Sequence, residues 1–342
     1  MRILVTGHLG YIGAVLVPML QRLGHDVVGI DAGFFLRAAL GTLPAPVPMI
    51  AEDVRDVDVR DLQGIDAVIH LAALSNDPMG SLDPDLTRQI NFDATVALAR
   101  AARDAGVERF LLSSSCSVYG AAHDTIVDES SPTLPLTAYA ESKIRSEEAL
   151  ERLATTDFVP VFLRNATAFG FSPRLRTDLV VNDFVCTALV TGEVRIKSSG
   201  TSHRPLVHVI DIACAFVAML DAPADAVRGR AFNVGRDEEN HRVRDLATIV
   251  QDVISDCSVA IGTSADARDY RVSFARVRAA LPNLELTWSV RAGAADLYER
   301  ARAARFGAVD LAEDRYVRLA DLKRHRESGR LDAALRWTGV ER

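Results

Sequence analysis

The opening thirteen residues restrict the fold more than any other stretch of the chain. Arg2-Ile-Leu-Val-Thr6 is a short apolar run that ends in Gly7-His-Leu-Gly10-Tyr-Ile-Gly13, and Val15, Leu16, Met19, Leu20 and Leu23 then recur at helical spacing. The pattern predicts a strand, a glycine turn and a helix. Glycines in such a turn let the backbone approach a pyrophosphate, while the helix start offers unpaired N–H groups and the positive end of its dipole. Gly24-His25 closes the helix, and Val27-Val-Gly-Ile30 predicts a second strand ending at Asp31. A carboxylate there accepts from a ribose hydroxyl and repels the extra phosphate of NADP, so NAD is the expected cofactor. Arg37 is the only basic residue shortly downstream that could restore NADP binding.

Alternation of strand and helix continues. Residues 33–50 read as an irregular connection with little to anchor it, followed by five aspartates between 53 and 66. Their interleaving with Arg55 and Arg60 marks a solvated face, and no metal is expected. Ala67-Val-Ile-His-Leu71 predicts a buried strand running into Ala72-Ala73, small residues that let another backbone approach. Asp83-Pro84 opens a helix whose apolar stripe Leu86, Ile90, Ala94, Ala97, Leu98 and Ala101 runs to Gly106, and the strand Arg109-Phe-Leu-Leu112 then delivers Ser113 to Ser117 at its carboxyl end. One strand end carries glycines and another serines. That arrangement implies an open parallel sheet, with ligand bound outside the carboxyl ends of the strands.

Thr137-Ala-Tyr139-Ala-Glu-Ser-Lys143 holds the most reactive pair. The segment reads as helix, with Ile144, Ala149, Leu150 and Leu153 on one face and Glu147, Glu148 and Glu151 on the other. Tyr139 and Lys143 stand four apart and project one above the other. An ammonium beside a phenol favours the phenolate, which would lower the tyrosine pKa and make Tyr139 a proton acceptor from an alcohol. Ser115 and the start of this helix converge in the parallel-sheet arrangement.

Composition narrows the partners. The chain has 342 residues, 49% of them apolar, enough for one large domain or two interlocked ones. A net charge of -7 lacks the basic excess that tracking nucleic-acid phosphates needs. Cys116, Cys186, Cys214 and Cys257 include no CxxC pair and no neighbours at metal spacing, which fits a reduced cytoplasmic protein. Polar and helix-breaking residues interrupt the apolar opening, so neither a signal peptide nor a membrane span is expected.

Taken together, Thr6-Gly-His-Leu-Gly-Tyr-Ile-Gly13, Asp53-Val54, His70-Leu-Ala-Ala73, Asn91, Ser113-Ser-Ser-Cys-Ser-Val-Tyr-Gly120 and Tyr139 with Lys143 resemble the extended short-chain dehydrogenase/reductases. The resemblance is to the NAD-dependent epimerase/dehydratase group acting on nucleotide-activated sugars. It continues through Arg204-Pro-Leu-Val-His-Val-Ile-Asp211 and Phe232-Asn-Val-Gly235. It implies an α/β fold, a Rossmann-type doubly wound parallel sheet with a smaller interleaved α/β substrate-binding region. Residues 1–170 would be mainly NAD-binding and 171–309 mainly substrate-binding, with about 205–235 returning to the first unit and 310–342 forming a charged helical extension that packs on the domain or a partner.

By position, the resemblance makes Gly7, Gly10 and Gly13 pyrophosphate contacts, with Tyr11 and Ile12 supplying turn backbone. Asp31 would hold the adenosine ribose, and Asp53 and Val54 the adenine. Leu71, Ala72, Ala73, Asn91 and Ser113 complete the cofactor contacts. Lys143 would hold the nicotinamide ribose while tuning Tyr139, and Ser115 would hydrogen-bond the sugar oxygen. The implied reaction takes a proton to Tyr139 and a hydride to NAD, forming a ketone; returning the hydride to the opposite face gives an epimer. Ser75, Asn165, Thr167, Arg174, Arg176, Asn182, Arg204 and Arg268 are the implied substrate contacts.

Two departures qualify the pattern. Dehydratases of the group carry an Asp-Glu pair where this chain has Cys116 and Ser117, which disfavours elimination of water and leaves those two as candidate auxiliary groups. Thr167 stands where relatives often have an asparagine that contacts the sugar diphosphate. An epimerase is the leading reading, a ketoreductase of a keto-sugar or secondary-metabolite ketone the alternative, and a non-catalytic dinucleotide sensor a third. The helices starting near Asp83 and Tyr139 resemble those that pair in homodimers of the group. Asp211 reads as a helix N-cap, and His203 and His208 as structural.

Overall fold

The structure is a computed structural model that describes residues 1–264 and 269–339, with backbone alone at 122–124. Its centre is a seven-stranded sheet in the order Arg230–Val234, Val159–Asn165, Arg109–Ser115, Ala67–His70, Arg2–Thr6, Asp26–Ile30 and Met49–Ala51, every pairing parallel. The strand order reverses direction beside Arg2–Thr6. Such a switch point opens a crevice at the carboxyl ends of the strands, where the glycine turn after Thr6 and Leu71 after His70 lie.

Burial on both faces explains the near-continuous apolar strands. All four residues of Ala67–His70 and all seven of Val159–Asn165 are buried. Side chains alternate between the faces: Ile3 and Val5 pack with Leu16, Leu20, Ile212 and Phe216, while Leu4 packs with Val68, Leu98 and Phe110. A separate core joins Phe169, Phe184, Val185, Leu246 and Leu297 in the second half of the chain. There a three-stranded sheet orders Asn240–Arg242, His203–His208 and Thr167–Phe169, and Glu193–Ser198 pairs with Ser258–Ser264.

Several elements differ from the sequence reading for identifiable reasons. The helix after Asp83 forms as one run with a π-helical turn at Gln89–Asp93 between Pro84–Arg88 and Ala94–Asp104. Glu147 is buried, because Arg164 on the adjacent strand faces it. Asp211 lies inside the helix Val209–Leu220, which His208 caps; its carboxylate instead accepts from the backbone N–H groups of Thr287 and Trp288.

The connection 33–50 is also tied down. Arg174 donates to the Leu36 carbonyl at 2.5 Å, Tyr316 to that of Ala39 at 3.1 Å and Trp337 to that of Ala32 at 2.6 Å. These partners come from residues 138 to 305 positions away, a separation no local pattern reveals. The tail forms the helices Ala308–Ala312 and Arg318–Glu327, and Leu322, Leu331, Leu335 and Trp337 pack with Leu74, Met79, Phe34 and Phe35.

Candidate active site

A cavity of about 870 Å³ runs along the carboxyl ends of the strands, from Asp31 and Asp53 past the glycine turn to Tyr139 and on to Arg204 and Tyr270. At its first half the helix Gly13–Arg22 starts at Ile12 with no side-chain cap and no acidic residue in its first turn. Its free N–H groups are available to an anion. Gly7 has φ +70°, and a Cβ on it would lie 2.9 Å from the Ala72 nitrogen; one on Gly13 would lie 2.5 Å from the Gly7 and His8 carbonyl oxygens. The turn is therefore packed directly against the Leu71–Ala72 strand end, with Gly7, Gly10, Tyr11, Ile12, Gly13, Leu71, Ala72 and Ala73 all on the cavity wall.

Asp31 accepts from the Leu9 and Gly33 N–H groups at 2.9 and 2.8 Å, which fixes its carboxylate at the wall. Arg37 does not face that carboxylate as an NADP-binding residue would; it pairs with Glu313 at 3.1 Å and lies 3.9 Å from Asp321. Asp53 and Val54 line the far end. Burial works against the Asp53 charge, but hydrogen bonds from Arg55 hold its carboxyl below the usual carboxylate range. Glycine turn, uncapped helix start and fixed Asp31 fit a dinucleotide whose pyrophosphate rests on the turn and whose ribose meets the acid.

The reacting groups converge at mid-cavity. Ser115 ends its strand, accepts from the Ser117 N–H at 3.1 Å and shares the cavity wall with Tyr139, whose phenolate its hydroxyl favours. Thr137 caps the helix Ala138–Glu151, which brings Tyr139 and the buried Lys143 to the wall with the ammonium 5.7 Å from the phenol ring centroid. The expected lowering of the Tyr139 pKa is reversed in the pocket as it stands. Burial, joined by the negative charge of Asp77, pushes the phenol up to about 12, and burial brings Lys143 down to about 8 against the pull of Glu147. Both changes have one origin, desolvation by the surrounding protein, which makes either charge costly until a compensating charge arrives.

A buried polar network backs this centre. Glu147 receives Arg164 Nη2 at 2.6 Å and Ser114 Oγ at 2.5 Å, Arg164 Nη1 donates to Tyr119 at 3.0 Å, and Tyr119 donates to Asn233 at 2.7 Å. Cys116 belongs to this layer rather than to the cavity. Its thiol contacts the Arg164 carbonyl at 3.1 Å, off the cavity wall, and burial pushes its pKa up, which keeps it protonated. Cys116→Ala is expected to keep kcat within about a factor of two, whereas removing a proton donor would lower it about 10²–10⁴-fold; steady-state rates decide. Ser117 does reach the wall, and its hydroxyl has no partner.

The predicted ligand contacts divide in two. Ser75, Ser113, Asn165, Thr167, Arg176 and Arg204 line the cavity. Arg176 pairs with Asp178 at 2.9 Å and donates to Ser75 at 3.1 Å, while the Asn165 side-chain oxygen has no partner. Three others are structural. Asn91 exchanges hydrogen bonds with the Leu74 backbone at 2.8 and 3.2 Å and so holds the loop after the strand; Asn182 binds Gly170, Arg176 and Tyr11; Arg174 is spent on Leu36. All three bind backbone groups away from the wall. Arg268 lies outside the described residues. The sequence reading missed Phe34, Phe35, Asp178, Lys197 and Arg318 at the wall. Asp178 was the most accessible of these, two residues after Arg176 and of opposite charge.

Fold and site together define an NAD-dependent enzyme of the doubly wound α/β class, with Ser115, Tyr139 and Lys143 gathered on one cavity wall. The chain belongs to the NAD dependent epimerase/dehydratase family, whose model matches residues 3–235. It is 31% identical over 259 residues to the UDP-glucose 4-epimerase of Mycolicibacterium smegmatis, covering 73% of this chain and 82% of that protein. It is 28% identical over 273 residues to the UDP-glucose 4-epimerase of Corynebacterium glutamicum, covering 74% and 80%. Among solved structures, MoeE5 in complex with UDP-glucose and NAD matches with a TM-score of 0.75 at 27% identity, covering 89% of this chain and all of that one.

Proposed function

We propose that the protein epimerises a nucleotide-activated sugar through a transient keto-sugar, with NAD retained over the cycle. The observation that carries this reading is the convergence of Ser115, Tyr139 and Lys143 on a cavity whose other half is the glycine turn with Asp31. Ser115 holds the sugar hydroxyl and Tyr139, as the phenolate that the Lys143 charge favours, takes its proton and becomes the neutral phenol. Bound NAD supplies the hydride acceptor beside that carbon. Tyr139 then returns the proton to the oxygen, and release of the sugar after hydride return to the other face completes inversion. Arg204 and Arg176 are the cationic groups for the diphosphate, and Thr167 and Asn165 face the sugar. No acid-base pair stands beside Ser115 for elimination of water, since Cys116 points away and Ser117 is a hydroxyl.

In this reading residues 1–170 mainly hold NAD and 171–309 mainly hold the substrate, with about 205–235 returning to the first unit, and the C-terminal helical extension packs on the domain. Four free cysteines, three of them buried, support a reducing compartment, the cytoplasm. Among the described residues no helix is long and apolar enough to cross a membrane. The helices Ala94–Asp104 and Ala138–Glu151 are the proposed pairing faces of a homodimer, which light scattering of the purified chain tests.

The functional test is to look for bound NAD in purified protein by mass spectrometry and absorbance, then to offer UDP-, dTDP-, GDP-, ADP- and CDP-sugars. One is expected to be converted to its epimer with no net cofactor consumed. Stoichiometric oxidation of NAD(P)H with a ketone substrate would replace this reading with the reductase.

A further inference from the structure

The C-terminal extension lies beyond the residues that match the family model, yet it contributes to the cavity wall. Arg318, the first residue of the helix Arg318–Glu327, is only 2% exposed. One guanidinium nitrogen, Nη2, donates to the Arg174 carbonyl at 2.8 Å, and the plane stacks over Phe35 at 4.8 Å. The other, Nη1, has no hydrogen-bond partner among the described residues. A buried cation with an unsatisfied donor on a cavity wall is costly unless an anion arrives to meet it. Burial, and then the nearby charge of Arg176, disfavour the Arg318 cation, with Asp178 and Asp321 opposing.

Position says which anion. A chain of hydrogen bonds links Arg318 to the glycine turn: Arg318 to the Arg174 carbonyl, the Arg174 N–H to Ser172 Oγ, and Ser172 Oγ to the Tyr11 carbonyl. On its other side, Phe35 belongs to the loop that follows Asp31. The rest of the extension fastens to the same half of the site. Arg336 pairs with Asp53 at 3.1 Å, Arg55 donates to the Ala334 carbonyl at 2.7 Å, Trp337 to that of Ala32, and His325 meets the Phe34 carbonyl at 3.0 Å.

We propose that Arg318 is a phosphate contact closing over the dinucleotide pyrophosphate from the side opposite the glycine turn, so that the extension straps the cofactor in place. This rests on the dinucleotide site and is independent of which sugar is epimerised. A fork of two donors suits phosphate oxygens, one already used to fix the side chain and one left for the ligand.

The test uses the full chain and two variants, Arg318→Met, which keeps the packing on Phe35, and Arg318→Lys, which keeps a charge but loses the fork. Bound NAD per chain after purification is measured first, then affinities for ADP-ribose, adenosine and UDP. Arg318→Met is expected to lose bound NAD and to weaken ADP-ribose about tenfold to a hundredfold, with adenosine and UDP unchanged. Arg318→Lys is expected to fall between, and carries the test if the methionine variant does not fold. Unchanged ADP-ribose affinity overturns the proposal; so does weakened UDP binding with ADP-ribose intact, which would assign the arginine to the substrate diphosphate. Failure of the unaltered chain to bind NAD or ADP-ribose would instead overturn the dinucleotide reading itself.

Discussion

Tyr139→Phe is expected to lower kcat about 10²–10⁴-fold while leaving NAD binding and thermal stability close to those of the parent chain. Among the described residues the phenol lies on the cavity wall with Ser115 and has the Lys143 ammonium 5.7 Å from its ring centroid, a position from which no neighbour replaces its proton transfer. Its pH dependence follows from the burial that sets both values, about 12 for the phenol and about 8 for the ammonium. The pair first loses a proton near pH 8, and only the deprotonated pair can accept one from an alcohol. Activity should therefore fall as pH drops through this region and level off above it. A positively charged ligand beside the phenol moves the limb to lower pH, because it favours the phenolate. The residual rate of Tyr139→Phe should lack the limb. A variant retaining full rate, or the same limb, would remove Tyr139 from the proton path.

Glu147→Gln is expected to cost about 3–5 kcal/mol of stability, because it leaves the buried Arg164 charge without its partner. A fall of roughly 5–10 °C in the thermal midpoint is the corresponding readout. The pair is well enclosed, with side-chain exposures of 9% and 7%, so solvent screens little of the loss. Arg164 is held well above its usual range against burial by Glu147, then Tyr119, which shows how much of its charge depends on this layer. Ser114→Ala, which removes one neutral donor to the same carboxylate, should cost only about 1 kcal/mol. Glu147 also supports the Lys143 charge, so Glu147→Gln should shift the activity limb downward in pH as well. Equal stability of Glu147→Gln and the parent chain would show that the layer is dispensable.

Local pattern carried the fold a long way. The glycine turn, Asp31, the Ser113–Ser117 strand end and Tyr139 with Lys143 all stand in short segments whose chemistry is visible in a few adjacent residues, and the structure brings them to one wall. What escaped the pattern depends on partners remote in sequence. Glu147 reads as solvated by helical spacing and is buried by a strand seventeen residues on. Asn91, Asn182 and Arg174 occupy positions suited to ligand contact, yet backbone carbonyls and amides consume them. The sign of the tyrosine shift escapes for a related reason: spacing reveals the neighbouring charge but not how the folded chain desolvates the phenol.

The wall of the crevice joins segments 291 to 305 residues apart, with Ala32 and Phe34 fastened to Trp337 and His325. A ribosome makes these ends at different times. The glycine turn, Asp31, Tyr139 and the strands that carry them are complete well before residue 318 is synthesised, so the crevice stands uncovered while the polypeptide is growing. Under the strap proposed for Arg318, a dinucleotide enters the nascent chain freely before residues 318–337 settle over it, whereas exchange from the folded protein requires those residues to lift, so capture during synthesis should be the faster.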